Sequence, residues 1–331
     1  MDLDAFVATH ADDWHRLDRL SRRRSLTPDE VDELVSLYQR AATNLSQVRS
    51  ASPDPTLVAR LSLIVNRARQ RVTGVHEPAH REVARFFLAS FPAALYRLRW
   101  LTLAVMVAFV GVGWASGAWV AGSDEVRSSM LTDSEIRQLC EVEFAAYYSS
   151  NPAGSFAAQV WTNNAWIAAI SIAFGITGVF PLFVFIQNAF NVGLVGGFMA
   201  SCGRLDLFFG LITPHGLLEL TAVFVALAAG LRLFWAWIDP GPRPRLDSLA
   251  TEGRALFGVA LGLVPVLFVS GIVEAFVTPS PLPTWARIAV GVLVWSAFAA
   301  YALVLGRRAA RAGHTGDIRR EFAGEVQPVA G

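Results

Sequence analysis

The sequence predicts an all-α protein: a polytopic helical membrane domain of about six spans, some broken or re-entrant, preceded by an N-terminal cytoplasmic helical bundle. Of the 331 residues, 53% are hydrophobic and only 17% are charged, against roughly 25% charged residues in soluble proteins. Residues 144–203 contain no charge at all, whereas the first 96 residues mix apolar and charged residues at helical spacing. A net charge of +1 gives no reason to expect nucleic acid as a partner.

Residues 1–96 are predicted to form a cytoplasmic helical domain that ends in an interfacial helix. Within it, Thr27, Pro28 and Glu30 have the spacing of an N-cap, a first helical position and a capping box. The other helices are predicted from about Asp4 to Arg24, from the break "SPDP" at 52–55 to Gly74, and from Glu77 towards the membrane. The aromatic residues of the last helix either lie at the membrane interface or close the small bundle: Phe86, Phe87 and Phe91.

Residues 97–306 are predicted to form the transmembrane domain, because an apolar helix of about 20 residues crosses the hydrocarbon layer. Residues 144–203 are too many for one helix, and "WTNNAW" at 161–166 and "IQNAFNVGLVGG" at 186–197 are the natural breaks. Thr213 and Pro214 repeat the cap-then-proline pattern and predict a helix start. The predicted spans are about 101–121, 165–186, 189–202, 214–238, 255–277 and 285–306. An outer segment, 122–160, and a flexible cytoplasmic tail, 307–331, lie outside them.

The arginines that flank the spans predict the orientation, since cytoplasmic loops carry the excess of positive charge. With six crossings, twelve of these arginines lie on the side of the two termini and four on the opposite side. Both termini are therefore predicted to be cytoplasmic. The acidic start "MDLDAFVATHADDW" has no apolar core, so no cleavable signal peptide is expected. Cys140 and Cys202 then fall on the same outer side, and whether they pair stays open.

The stretch "TPHGLLELTA" places His215 and Glu219 four residues apart inside an apolar part of the chain. An ionisable residue within a span costs about 2.5–3.5 kcal/mol on insertion scales, so both should face protein or a wet cavity. Their spacing puts them on one helix face, where an imidazole N–H can donate to the carboxylate. Such a pair can pin helix packing, pass protons or ions, or hold a metal weakly. Because two ligands without a third are a weak signal, no metal site is predicted.

Side-chain amides are the second group of polar residues in the predicted spans. Backbone groups at helix ends have no water partners in lipid, so the amides are expected to cap them, with ligand binding as the alternative. Together with His215 and Glu219, the amides of Asn163, Asn164 and Asn188 form the predicted intramembrane polar cluster.

Small residues spaced four apart permit close contacts between helices and allow a homodimer. The helix-packing glycines are predicted to be Gly175, Gly193, Gly197 and Gly216.

Two further charged residues are predicted to lie at membrane interfaces. Glu274 is near the outer end of the fifth span and is expected to reach the lipid headgroups. Arg232, beside Trp235 and Trp237, is expected to extend along apolar surface towards water.

Several quoted runs together resemble the integral-membrane family of stage II sporulation protein M. They are "NN" at 163–164, "FGITG" at 174–178, "QNAFNVGLVGG" and "PHGLLELTA". The resemblance covers roughly residues 90–310, and the N-terminal "MDLDAF", "LYQRAATNLS" and "FFLASFPAALYR" resemble the longer actinobacterial members. Ala189 departs from the pattern, since the family usually has glycine after Asn188.

The resemblance implies a multi-pass protein of the bacterial cytoplasmic membrane that works with peptidoglycan-degrading partners. For the longer members it also implies a link to AAA ATPases of the MoxR type.

Two functions are weighed on this basis. The first is a non-catalytic scaffold or assembly factor in cell-envelope remodelling, with membrane lipid, envelope hydrolases or a MoxR-type ATPase as partners. The alternative is a transporter or channel that uses the His215 and Glu219 pair in a broken-helix site. No nucleophile elbow, phosphate-binding loop or zinc-protease motif occurs in the sequence, so neither an enzyme nor a cofactor is predicted.

Overall fold

The computed structural model describes residues 3–23, 26–51, 55–73, 79–148 and 152–317, and every element in these ranges is a helix. This confirms the all-α prediction. The chain divides into two compact units, Met1–Glu82 and Val83–Gly331. The predicted breaks at "SPDP", Gly74 and Glu77 fall at least partly outside the described residues.

The first unit contains three packed helices, α1 (Leu3–Arg22), α2 (Pro28–Ala51) and α3 (Pro55–Thr73). Their apolar faces meet in one core, which includes Trp14, Leu17, Leu34 and Leu61. The predicted capping box is confirmed at the start of α2. The Thr27 N–H donates to Glu30 Oε2 at 3.1 Å, and the Glu30 N–H donates to Thr27 Oγ1 at 3.4 Å.

The remaining helices are α4 (Ala79–Arg85), α5 (Phe91–Gly122), α6 (Asp124–Met130), α7 (Asp133–Gln138), α8 (Phe144–Ala146), α9 (Ala153–Ala173), α10 (Val179–Ser201), α11 (Leu205–Ile238), α12 (Arg245–Ile272), α13 (Thr284–Ala300) and α14 (Gly306–Arg311). Short π-helical turns join several of them, at Phe86–Ser90, Leu139–Glu143, Val273–Val277 and Tyr301–Leu305. Phe86 and Phe87 pack on the core of the second unit beside Phe91, so they do not close the N-terminal bundle.

Five helices in the described residues are long and apolar enough to cross a membrane. They contain α5, α10, α11, α12 with its π turn, and α13 with α14. The 21-residue helix α9 has the length for a sixth crossing, although Asn163 and Asn164 lie inside it.

The predicted breaks at 161–166 and 186–197 are wrong. Helix α9 runs without interruption through 161–166, and α10 runs through 186–197. The chain turns instead at Gly175–Thr177 and at Gly178, whose φ of +67° favours glycine. Thr177 Oγ1 then accepts from the Phe180 N–H at 3.2 Å and caps the next helix. The amides of these two stretches therefore lie within helices and do not mark helix ends.

The predicted helix start at Thr213 and Pro214 is also wrong, because α11 begins at Leu205 and contains Pro214. A proline inside a membrane helix is tolerated where neighbouring helices support the backbone. Helix α13 comes close at this point, since a Cβ on Gly291 would lie 2.3 Å from the Pro214 carbonyl oxygen. At the next residue, Ser270 Oγ donates to the His215 carbonyl at 3.2 Å.

Glycines bring the backbones of α5 and α10 together. A Cβ on Gly193 would lie 2.0 Å from Ser116 Oγ and 2.3 Å from the Gly113 carbonyl oxygen, and one on Gly197 would lie 2.7 Å from the Gly117 carbonyl oxygen. These glycines are used inside the chain, so they no longer argue for a homodimer.

A disulfide joins Cys140 to Cys202, with a Cα–Cα distance of 6.5 Å. It ties residues 123–148, hereafter the short-helix segment, to the turn between α10 and α11. Cys140 lies in a buried cluster with Phe144, Tyr148 and Phe156.

The predicted tail is ordered in its first part. Arg254 donates two hydrogen bonds to the carboxylate of Asp317, at 3.0 and 2.8 Å, and of the predicted tail residues 318–331 lie outside the described part.

Replacing Gly193 with alanine should destabilise the protein, because the added methyl has no space between α5 and α10. Replacing Gly111 with alanine is the matched control, since a Cβ there meets nothing within 4 Å. Thermal unfolding of the detergent-purified protein should show a lower midpoint for Gly193→Ala only. Equal midpoints for the two variants would contradict the close contact.

Candidate functional site

Three ionisable side chains meet between α11 and α12, two of them buried and Glu219 partly buried. His215 and Glu219 come from α11, and Glu274 comes from the π-helical turn Val273–Val277 that ends α12. One ligand atom from each residue lies within 4.8 Å of those from the other two. We call these three residues the His–Glu–Glu cluster. The expectation that Glu274 reaches lipid headgroups is wrong, because the residue is 4% exposed.

The π-helical turn explains why Glu274 points inward. A π turn inserts one residue into a helix, and such turns occur often at functional sites. This turn closes with the Thr278 N–H donating to the Val273 carbonyl at 3.1 Å. It places Thr278 beside the imidazole of His215 as well.

His215 is held by residues of this turn rather than by Glu219. Its Nδ1 lies 3.1 Å from Thr278 Oγ1, and its Nε2 lies 3.9 Å from Glu274 Oε1. The hydrogen bond expected between His215 and Glu219 is absent from the described contacts, which corrects the sequence interpretation. Helix spacing brings the two residues to one face, but each finds a nearer partner on another helix.

Polar side chains of α9 and α12 contact Glu219. Asn164 Nδ2 donates to Glu219 Oε1 at 2.8 Å, and Ser270 Oγ lies 3.4 Å from Oε2. Unlike Glu219, Glu274 accepts no hydrogen bond from any residue that the structure describes.

Tyr148 covers the cluster on the side of the disulfide. Its ring lies 5.6 Å from the His215 ring, centroid to centroid, and its side chain is buried. Burial raises the pKa of the Tyr148 phenol, and the negative charge of Glu274 raises it further. Tyr148 therefore closes the site as a neutral group.

Two of the predicted amides do not join the His–Glu–Glu cluster. Asn163 is exposed, one residue before the amide that binds Glu219. Asn188 Nδ2 donates to the Val184 carbonyl of its own helix at 2.8 Å, so it caps no helix end.

The predicted packing glycines differ in their surroundings. Gly193 and Gly197 lie at the contact between α5 and α10, and Gly175 lies against Gly230 of α11, whose Cα would be 2.6 Å from an added Cβ. Gly216 is not at such a contact, since an added Cβ would meet only Ile212 of the same helix within 4 Å.

A second buried polar group lies near the other end of the bundle, and sequence reasoning missed it. Glu252 accepts from Arg97 Nη2 at 2.5 Å and from Arg232 Nη2 at 3.3 Å. Arg232 is thus an ion-pair partner and not a free interface anchor. The sequence signal that could have revealed this group is Glu252 itself, a single glutamate in the mostly apolar stretch that follows "PRPR".

A family model described as stage II sporulation protein M matches residues 105–279, more than half of the chain. The chain belongs to this family. The match includes the whole His–Glu–Glu cluster together with Asn164, Ser270 and Thr278.

Other comparisons add less about the site. A second family model, described as a domain of unknown function, matches residues 4–74. An uncharacterized protein of Methanocaldococcus jannaschii is 25% identical over 127 residues, which are 37% of this chain and 70% of that protein. No solved structure matches the chain.

Replacing Asn164 with leucine should destabilise this sporulation protein M family member by about 1 kcal/mol, because Glu219 loses a partly buried hydrogen bond. Replacing the exposed Asn163 with leucine is the control, with little change expected. Denaturant titration in mixed micelles measures both changes. A loss of stability for Asn163→Leu that equals the loss for Asn164→Leu would contradict the assigned hydrogen bond.

Proposed function

We propose that the protein is a non-catalytic scaffold or assembly factor for cell-envelope remodelling in the bacterial cytoplasmic membrane. The observation that carries this proposal is the short-helix segment, which the Cys140–Cys202 disulfide holds against the bundle. Helices α6 and α7 of this segment have no buried residue, so they present a folded surface of their own. Family membership supports a sporulation protein M-like role.

The short-helix segment is acidic. Its six carboxylates are exposed, and its two arginines leave it with a net negative charge: Asp124, Glu125, Asp133, Glu135, Glu141 and Glu143. Arg127 is also engaged with the C-terminal carbonyls of α5, at 2.9 Å from Val120 and 2.5 Å from Ala121. The acidic surface favours a partner with a basic surface, which we propose is an envelope hydrolase.

Two observations support cytoplasmic termini. The arginines flanking the spans are concentrated on the side of the termini. Disulfides persist in oxidising compartments, so the Cys140–Cys202 bond favours placing the short-helix segment outside the cytoplasm. With α9 as the sixth crossing, both termini fall on the same side. The first unit would then be available to a cytoplasmic partner such as a MoxR-type ATPase.

The transporter alternative has less support from the geometry. Two cavities along the bundle, of about 690 and 700 Å³, are lined by other residues and not by the His–Glu–Glu cluster. The ionisable groups are packed between helices in this conformation, which favours a role in holding the bundle.

Site-specific photocrosslinking at native expression tests the scaffold proposal. A photoreactive residue at Ser129, exposed on α6, should capture a peptidoglycan-processing protein, and one at Leu63, exposed on α3, should capture a cytoplasmic partner. Val107 on α5 is 62% exposed within an apolar span and serves as the lipid-facing control. If neither Ser129 nor Leu63 gives a protein adduct beyond the Val107 background, the scaffold role is refuted.

A further inference from the structure

The His–Glu–Glu cluster has an unbalanced charge inside an apolar bundle. Two carboxylates and one imidazole are brought together, and no arginine nitrogen lies within 4.0 Å of Glu219 or Glu274 among the described residues. The nearby Arg287 donates to the Thr278 carbonyl at 2.6 Å instead. An ionised carboxylate buried without a partner is very costly, so something else must neutralise this group.

We propose that His215, Glu219 and Glu274 bind one divalent transition-metal ion, with zinc as the best fit. One imidazole nitrogen and two carboxylate oxygens are ligands that zinc accepts. Two negative charges and one dication sum to zero with a neutral histidine, which suits a site inside an apolar bundle. This inference goes beyond the proposed scaffold function and does not depend on it.

The surroundings of His215 match those of a metal ligand. Thr278 Oγ1 lies 3.5 Å from the Val273 carbonyl and 3.1 Å from His215 Nδ1. If the hydroxyl donates to that carbonyl, it accepts from the Nδ1–H of histidine. That assignment leaves the lone pair of Nε2 facing Glu274 Oε1, 3.9 Å away. Histidines that bind metals commonly donate their second N–H in this way.

Glu219 is oriented in a comparable manner. Asn164 and Ser270 approach its two oxygens from α9 and α12, and they fix the plane of the carboxylate. Glu274, which is 4% exposed, has no hydrogen-bond donor among the described residues and faces the same point. A metal ion supplies the partner that Glu274 lacks.

The distances permit binding with small side-chain movements. Ligand atoms in tetrahedral zinc sites lie about 3.4 Å apart, because each is about 2.1 Å from the metal. The three atoms here lie within 4.8 Å of one another, so side-chain rotations that bring them closer by up to about 1.4 Å close the site. Three protein ligands leave a fourth position open to water. The ion would clamp α11 to the π turn of α12 beneath Tyr148.

Metal analysis of the full-length protein, purified in detergent from zinc-supplemented cells, tests this inference. Elemental mass spectrometry should find about one zinc ion per chain. Glu274→Gln should reduce the zinc content at least fivefold, because it removes one charged ligand. Glu252→Gln is the control for loss of a buried glutamate, and it should retain the zinc, since Glu252 pairs with Arg97 and Arg232.

A second measurement begins with the wild-type protein. After zinc is removed by a chelator, cobalt(II) added to the wild-type protein should give the visible absorption bands of a four-coordinate site. Zinc should also raise the unfolding midpoint of the wild type but not of Glu274→Gln. Wild-type protein without stoichiometric zinc, cobalt bands or a midpoint shift would show that protons alone neutralise the carboxylates, and would overturn the inference. That result would leave the photocrosslinking at Ser129 and Leu63 unaffected.

Discussion

A carboxylate inside an apolar helix bundle cannot be solvated by water, so neighbouring helices must supply its partners. Glu219 imposes this requirement on three helices at once. It lies on α11 and is approached by Asn164 of α9 and Ser270 of α12. Glu274 also needs a partner, and its carboxylate lies 3.9 Å from His215 Nε2. The relative positions of α9, α11 and α12 therefore depend on satisfying these two carboxylates.

Close packing makes those contacts possible. Hydrogen bonds require heavy atoms about 3 Å apart, and glycines let the helix axes come near enough for short side chains to meet. Gly175 against Gly230 sets the approach of the α9–α10 turn to α11, and Gly193 sets the approach of α10 to α5. The Cys140–Cys202 bond fixes the same bundle near Tyr148, and Glu252 with its two arginines is a second polar contact. A few polar and small residues thus fix the relative positions of the apolar helices.

Much of the architecture follows from sequence patterns, but the site follows only in part. Helical periodicity and the capping box at Thr27 give the N-terminal helices, because those signals are local. The turn at Gly178 was not predicted, because the amides of Asn163 and Asn164 favour a helix end at their own position. Asn164 instead donates a hydrogen bond to Glu219 of another helix. Glu274 was expected at the lipid headgroups but is buried, because it lies in a π turn that no single-sequence pattern marks.

The most direct measurement of the central claim is a double-mutant cycle between Asn164 and Glu219. The free energy of unfolding is measured for wild type, Asn164→Leu, Glu219→Leu and the double variant in mixed micelles. Because the two side chains satisfy each other, the double variant should lose less stability than the two single losses together, by at least about 0.5 kcal/mol. Losses that add to within about 0.3 kcal/mol would contradict the account, since independent sites behave in that way.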